Sequence, residues 1–168
     1  MKTHLIAGTC EIADVNGFLH VLNDIAAGYG ITVQAIDASK TAGSEHIISA
    51  TEKAIRASQR NDRISDNLGM EILLYASGNR QIKKALSMGV RNGSNKIVLV
   101  AVGDEIPDGA IRELENLVLA ADVTGYTREK RAAITTFFGI TETEIAAVGE
   151  EKIPQLVLER VALMGLWK

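Results

Sequence analysis

The sequence predicts an α/β (α+β) protein: a central four-stranded sheet flanked by about seven helices. Three observations predict it. Strand-like segments, alternating or continuously apolar, are interleaved with segments of helical period up to residue 102. Everything after that reads as helix. The length of 168 residues, 46% of them hydrophobic and 23% charged, suits a single domain spanning 1–168. A chain of that size buries roughly 70% of its unfolded surface and needs no metal or disulfide staple.

In chain order, residues 3–12 read as the first strand. A helix follows over 14–28, with Val15, Phe18, Leu19, Leu22, Ile25 and Ala26 on one face and Gly28 and Gly30 closing it. Residues 31–37 (ITVQAID) alternate and read as the second strand. Ser44 is placed to cap a helix to about Arg60, with Ile47, Ile48, Ala54, Ile55 and Ser58 inward. The polar stretch 61–69 reads as a loop. MEILLYA (70–76) reads as the third strand, 79–88 as a helix, 90–95 as a turn and KIVLVAV (96–102) as the fourth strand. Helices are expected over about 108–121, 127–138, 142–148 and 154–166. Thr141 and Glu144 form a capping-box pattern, and Pro154 suits a first helical turn. Crossovers through helices would make the strands parallel by default, although spacing does not fix their direction.

The net charge is −3, from 18 Lys+Arg and 21 Asp+Glu. That excludes a polycationic protein that coats nucleic acid, but not a local basic patch. The single cysteine, Cys10, excludes an internal disulfide framework and points to a reducing cytoplasm. The N-terminal segment lacks the apolar stretch of a signal peptide, and no apolar run approaches the ~20 residues of a membrane span.

Side-chain catalysis finds little support. His4, His20 and His46 are scattered, with no metal-ligand spacing. GxSxG, GxGxxG and Walker A patterns are absent. Asp104-Glu105 before Pro107 reads as turn chemistry, and Asn92-Gly93-Ser94 as a tight turn. No catalytic residue, metal or cofactor is expected.

Three features could carry function. Between Lys53 and Lys96 lie nine basic residues and three acids, a local balance of +6. The remainder carries nine and eighteen, or −9. Lys53, Arg56 and Arg60 share one helical stripe, where like charges repel by a few tenths of a kcal/mol. This is either a solvated helix face, helped by Glu52 beside Arg56, or an anion or nucleic-acid site. The second feature is the junction Tyr75-Ala76-Ser77-Gly78-Asn79-Arg80-Gln81, read as a strand end leading into a helix. Ser77 is then a plain cap, or the helix start holds a phosphate with help from Arg80 and Lys84. Aromatic residues are only 4%, which argues against a base-stacking platform of the RRM or OB kind. The third is the C-terminal helix, apolar nearly all round except at Glu159 and Arg160. It is either fully internal or partly a partner surface, with Met164 and Trp167 as adaptable anchors.

EILLYASGNRQI (71–82), followed by Ala85 and Gly89, resembles the signature of the small regulatory subunit of the KEOPS complex, the kinase-binding protein family that includes TPRKB. Ala54-Ile55-Arg56-Ala57, Ile64-Ser65 and Val157-Leu158-Glu159-Arg160-Val161-Ala162-Leu163 fit the same pattern, and the short form looks archaeal. The resemblance implies a mixed or antiparallel sheet in place of the parallel default. It implies a non-catalytic accessory subunit of the complex that makes threonylcarbamoyl-adenosine in tRNA. Such a subunit binds the complex's atypical kinase/ATPase and captures the tRNA 3′ CCA end. On that basis the residues expected to meet tRNA are Lys53, Arg56, Arg60, Ser65, Ser77, Gly78, Arg80, Gln81 and Lys84. Those expected at the kinase interface are Val157, Leu158, Val161, Ala162, Met164 and Trp167. No DNA or membrane partner is expected. A small-ligand or nucleotide sensor using the same junction remains the alternative.

Overall fold

The computed structural model describes residues 1–166. In chain order its elements are β1 (Lys2–Ile12), α1 (Val15–Tyr29), β2 (Thr32–Asp37), α2 (Ser44–Gln59), α3 (Leu68–Ser77), α4 (Ile82–Leu86), β3 (Gly93–Gly103), α5 (Asp108–Glu115), β4 (Leu119–Ala120), α6 (Arg131–Phe138), α7 (Glu142–Val148) and α8 (Ile153–Met164). The chain divides into two compact units, one of residues 1–38 and 89–123, the other of 39–88 and 124–168.

The first unit holds the whole sheet. Strand order is β2-β3-β1-β4, and every pairing is antiparallel. The parallel default is thereby excluded, and the antiparallel form of the expected α+β sheet is the one observed. β1 pairs with β3 from Lys2↔Gly103 to Ile12↔Gly93, and β2 pairs with β3 from Thr32↔Val102 to Asp37↔Ile97. Ile6, Ala35 and Leu99 lie side by side in that register. They face the core that α1 and α5 close with Leu22, Ile25, Ala110 and Leu114. Asp14 caps α1 through Asn16 N–H, Gly30 ends it in the left-handed conformation, and Asn92 Oδ1 accepts from Val15 N–H at 2.7 Å.

The fourth strand is not the expected one. The helix expected over 108–121 stops at Glu115, and Leu119–Ala120 pairs with β1 at Gly8 and Thr9. Gly8 permits this because a side chain there would collide with the Leu119 carbonyl.

The second unit is helical. Its largest correction is residues 70–76, expected as a strand and found inside α3. Ile72, Leu73, Leu74 and Ala76 are all buried. A short segment buried on every side carries no periodicity that separates strand from helix. Its ends decide the matter. Asn67 accepts from Met70 N–H at one end, and Gly78 takes the left-handed conformation (φ 62°) at the other. α3 packs against α2, α4 and α8.

In α2 the N-cap is Gly43, and Ser44 is the first helical residue. The inward face is His46, Ile47, Ala50, Thr51, Ala54 and Ala57; Ile48 is exposed rather than inward. Thr141 and Glu144 form the expected capping box on α7, and Pro154 sits in the first turn of α8. His46 is fully buried and bridges two elements. Its Nδ1 accepts from Ala42 N–H at 3.1 Å, so its Nε2 donates to the Ala76 carbonyl at 2.8 Å. No described helix is long and apolar enough to cross a membrane.

Candidate functional site

The basic stripe of α2 survives as a surface. Ala50, Ala54 and Ala57 turn inward at helical spacing, which leaves Arg56 and Arg60 exposed and Lys53 half-buried. Lys53 Nζ donates to Ser49 Oγ at 3.1 Å, one turn earlier. The three cations line one shallow pocket of about 150 Å³, with Ala57, Asp62, Tyr75 and Gly165. A cationic pocket of this kind attracts anions, and phosphates above all.

The loop beside it is organised by a buried carboxylate. Glu71 lies inside α3, where its Oε1 accepts from Ile64 N–H at 3.0 Å and from Ser65 N–H at 2.9 Å. Burial of an anion is tolerated because it collects these donors. Ser65 Oγ accepts from Asn67 N–H, so this residue shapes the loop and does not line the pocket.

The junction at 77–81 differs from its sequence reading. It is the C-terminus of α3, not a strand end opening a helix. Ser77 is buried and donates to the Leu74 carbonyl at 2.8 Å, so it is not a helix N-cap. Gln81 N-caps α4, and its N–H donates to Asn79 Oδ1. α4 is a five-residue helix, too short for a useful dipole, so the phosphate-binding helix start does not form.

What forms instead is a cleft of about 400 Å³ lined by Gly78, Asn79, Arg80, Gln81, Arg160, Leu163 and Met164. Ser65, Ser77 and Lys84 line neither pocket. Lys84 Nζ sits 4.0 Å from the centre of the Phe137 ring, a cation–π contact.

Arg160 holds this cleft in place. Its guanidinium donates to the carbonyls of Phe138, Gly139 and Leu156 and to both carboxylate oxygens of Glu144. The Arg160 hydrogen bond, aided by Thr141 N–H, holds the Glu144 carboxyl below its ordinary pKa. The signal for this residue was in the sequence: an arginine interrupting an otherwise apolar helix has to meet acceptors.

α8 is less uniformly buried than its composition suggests. Val157, Val161 and Met164 point inward with Ile153 and Leu156 at 3–4 residue spacing. These three anticipated interface residues therefore stabilise the fold and present almost no outer surface. Leu158 is half-buried, Ala162 is exposed and Leu163 is 38% exposed. Trp167 lies outside the described residues. Among the described residues no three His, Cys, Asp or Glu side chains come together as a metal site.

The sequence profile described as kinase binding protein CGI-121 matches residues 15–165. The chain is also 28% identical over 148 residues to the regulatory protein Cgi121 of Methanocaldococcus jannaschii, an alignment covering 88% of this chain and 92% of that protein. The matched span contains the EILLYASGNRQI segment, the basic stripe of α2 and all of α8. The chain belongs to the kinase binding protein CGI-121 family.

Proposed function

We propose that this protein is a non-catalytic, cytoplasmic accessory subunit of the KEOPS tRNA-modification complex. It binds the complex's kinase/ATPase subunit and recruits tRNA through the single-stranded 3′ CCA end. The observation that carries the RNA half is the convergence of Lys53, Arg56 and Arg60 on one pocket. Three like charges held together at a surface repel one another, and a phosphate chain offsets that cost.

The kinase half rests on family membership and on the outward side of α8. Gln155 and Glu159, one helical turn before Leu158 and Ala162, line a groove of about 380 Å³ with Val148, Lys152 and Leu156.

Binding of intact tRNA, tRNA lacking its CCA end, and the triple variant Lys53→Glu/Arg56→Glu/Arg60→Glu tests the RNA half. Removing the CCA end or reversing the charges is expected to abolish most of the affinity. The slope of log K against log salt should flatten by ~0.7 for each phosphate that is no longer neutralised. Equal binding of both tRNAs by the unaltered protein would refute the CCA assignment. A melting shift with free nucleotides but none with tRNA would favour the alternative, a nucleotide sensor using the same surface.

A further inference from the structure

We propose that Asn92-Gly93 is a site of self-modification. In the folded protein the Asn92 side-chain amide is converted to a carboxylate, with water as co-reactant, while the fold protects the chain's other Asn-Gly pair.

The step is deamidation through a cyclic imide. The Gly93 main-chain nitrogen gives its proton to water and bonds to Asn92 Cγ. The Cγ–Nδ2 bond breaks, and the amide nitrogen takes a proton back and leaves as ammonia. Water then opens the five-membered ring at one of its two carbonyls. Cleavage of the new Cγ–N bond leaves aspartate. Cleavage of the original main-chain bond leaves isoaspartate, with the chain continuing through Cγ. Nothing is oxidised or reduced. Glycine favours the ring because no side chain shields its nitrogen.

Two asparagines precede glycine, Asn16 and Asn92. Their surroundings differ. Asn16-Gly17 lies in the first turn of α1, which Leu22 and Ile25 anchor in the core. The Asn16 N–H donates to Asp14 Oδ1 at 3.2 Å, and Asp14 Oδ2 stands 3.2 Å from where a Gly17 Cβ would be. A carboxylate so close opposes loss of the Gly17 proton, because like charges disfavour a new anion.

Asn92 and Gly93 are both exposed, and nothing lies within 4 Å of where a Gly93 Cβ would be. Gly93 is the last pair of the β1–β3 ladder. Strand ends open at almost no free-energy cost, and far faster than an amide is lost. Asn92 Oδ1 accepts from Val15 N–H at 2.7 Å, a contact made by the oxygen that stays. Among the described residues nothing holds Nδ2, the nitrogen that leaves. The carboxylate product keeps the Val15 contact at the start of α1, where a helix favours negative charge. Conversion to aspartate thus turns a neutral tether of α1 into a charged one.

The test incubates the full chain in mildly alkaline buffer, folded and in urea. Peptide mapping with fragment-ion assignment reads the amide-to-acid mass gain at each asparagine. In the folded protein Asn92 is expected to convert at least about tenfold faster than Asn16. In urea the two should convert alike. Anion exchange of the folded protein should show a new, more acidic species. Asn16→Gln should still form it, and Asn92→Gln, which would need a larger ring, should not.

Equal conversion of Asn16 and Asn92 in the folded protein, or protection of both, would overturn the proposal. So would the acidic species forming unchanged in Asn92→Gln. A tenfold difference that persists in urea would assign the selectivity to local sequence and overturn the part given to the fold.

Discussion

Gly78 stands against Arg160 with no room for a side chain. A Cβ at residue 78 would lie 3.2 Å from the Arg160 Cβ and 3.3 Å from its carbonyl oxygen. Gly78 also has a φ of 62°, in the left-handed region. Two constraints thus coincide where α3 ends and α8 passes. Gly78→Ala is expected to cost about 1–2 kcal/mol for the backbone alone, and more if α8 cannot shift. Urea denaturation checks the cost. Binding of the CCA-ended strand checks the site, and should weaken as α8 is pushed away.

His46 makes stability pH-dependent in a definite window. Burial lowers its pKa to about 4, against 6.5 for the exposed group; the Lys130 charge acts in the same direction, and the Ala76 hydrogen bond opposes both. Between those pH values the unfolded chain binds a proton that the folded one refuses. The contribution is therefore whole above pH 6.5 and is lost as pH falls toward 4, by about 3 kcal/mol in all. Denaturation at about pH 7.5 and about pH 5.0 should show a loss of about 2 kcal/mol that is largely absent in His46→Gln. An unchanged pH dependence in the variant would count against the buried neutral imidazole.

Val161 and Ala162 are neighbours with opposite fates. Val161 is fully buried and Ala162 exposed. Val161→Glu should unfold the protein, since an unpaired buried carboxylate costs several kcal/mol. Ala162→Glu should melt within a few degrees of the parent yet fail to co-purify with the kinase subunit. Retention of the kinase by folded Ala162→Glu would move the interface off this side of α8.

Glu71 holds the 61–67 loop through charge-assisted bonds to Ile64 and Ser65 N–H. Glu71→Gln should cost about 1.5–3 kcal/mol. Amide hydrogen exchange at residues 64 and 65 should accelerate, while the sheet amides keep their protection.

β1 and the core of β3 were legible because their patterns are long or strongly β-branched. α1 and α7 were legible from their caps, Asp14 and Gly30 for the first, Thr141 and Glu144 for the second. α3 was not, because a segment buried all round loses the polar face that reveals a period. β4 was not, because two residues have no period, and its signal sat far away in Gly8. The clustered cations of α2 were visible from spacing alone. Their meeting with Tyr75 and Gly165, and the cleft walled by Leu163 and Met164, depend on how α3 and α8 pack. No local pattern encodes such packing.

The strand order also sets a timetable. β1 and β2 are separated only by α1, yet they never pair; β3 lies between them. Lys2 finds its partner only when Gly103 has been made. At roughly 5–20 residues per second, the nascent N-terminal strand waits for seconds without its neighbour. Closing so long a loop slows folding more than it weakens the final state. The helical segments between the strands can form locally during that interval. The sheet therefore closes late, and in the cell the newborn first strand is the part of this protein most in need of shelter.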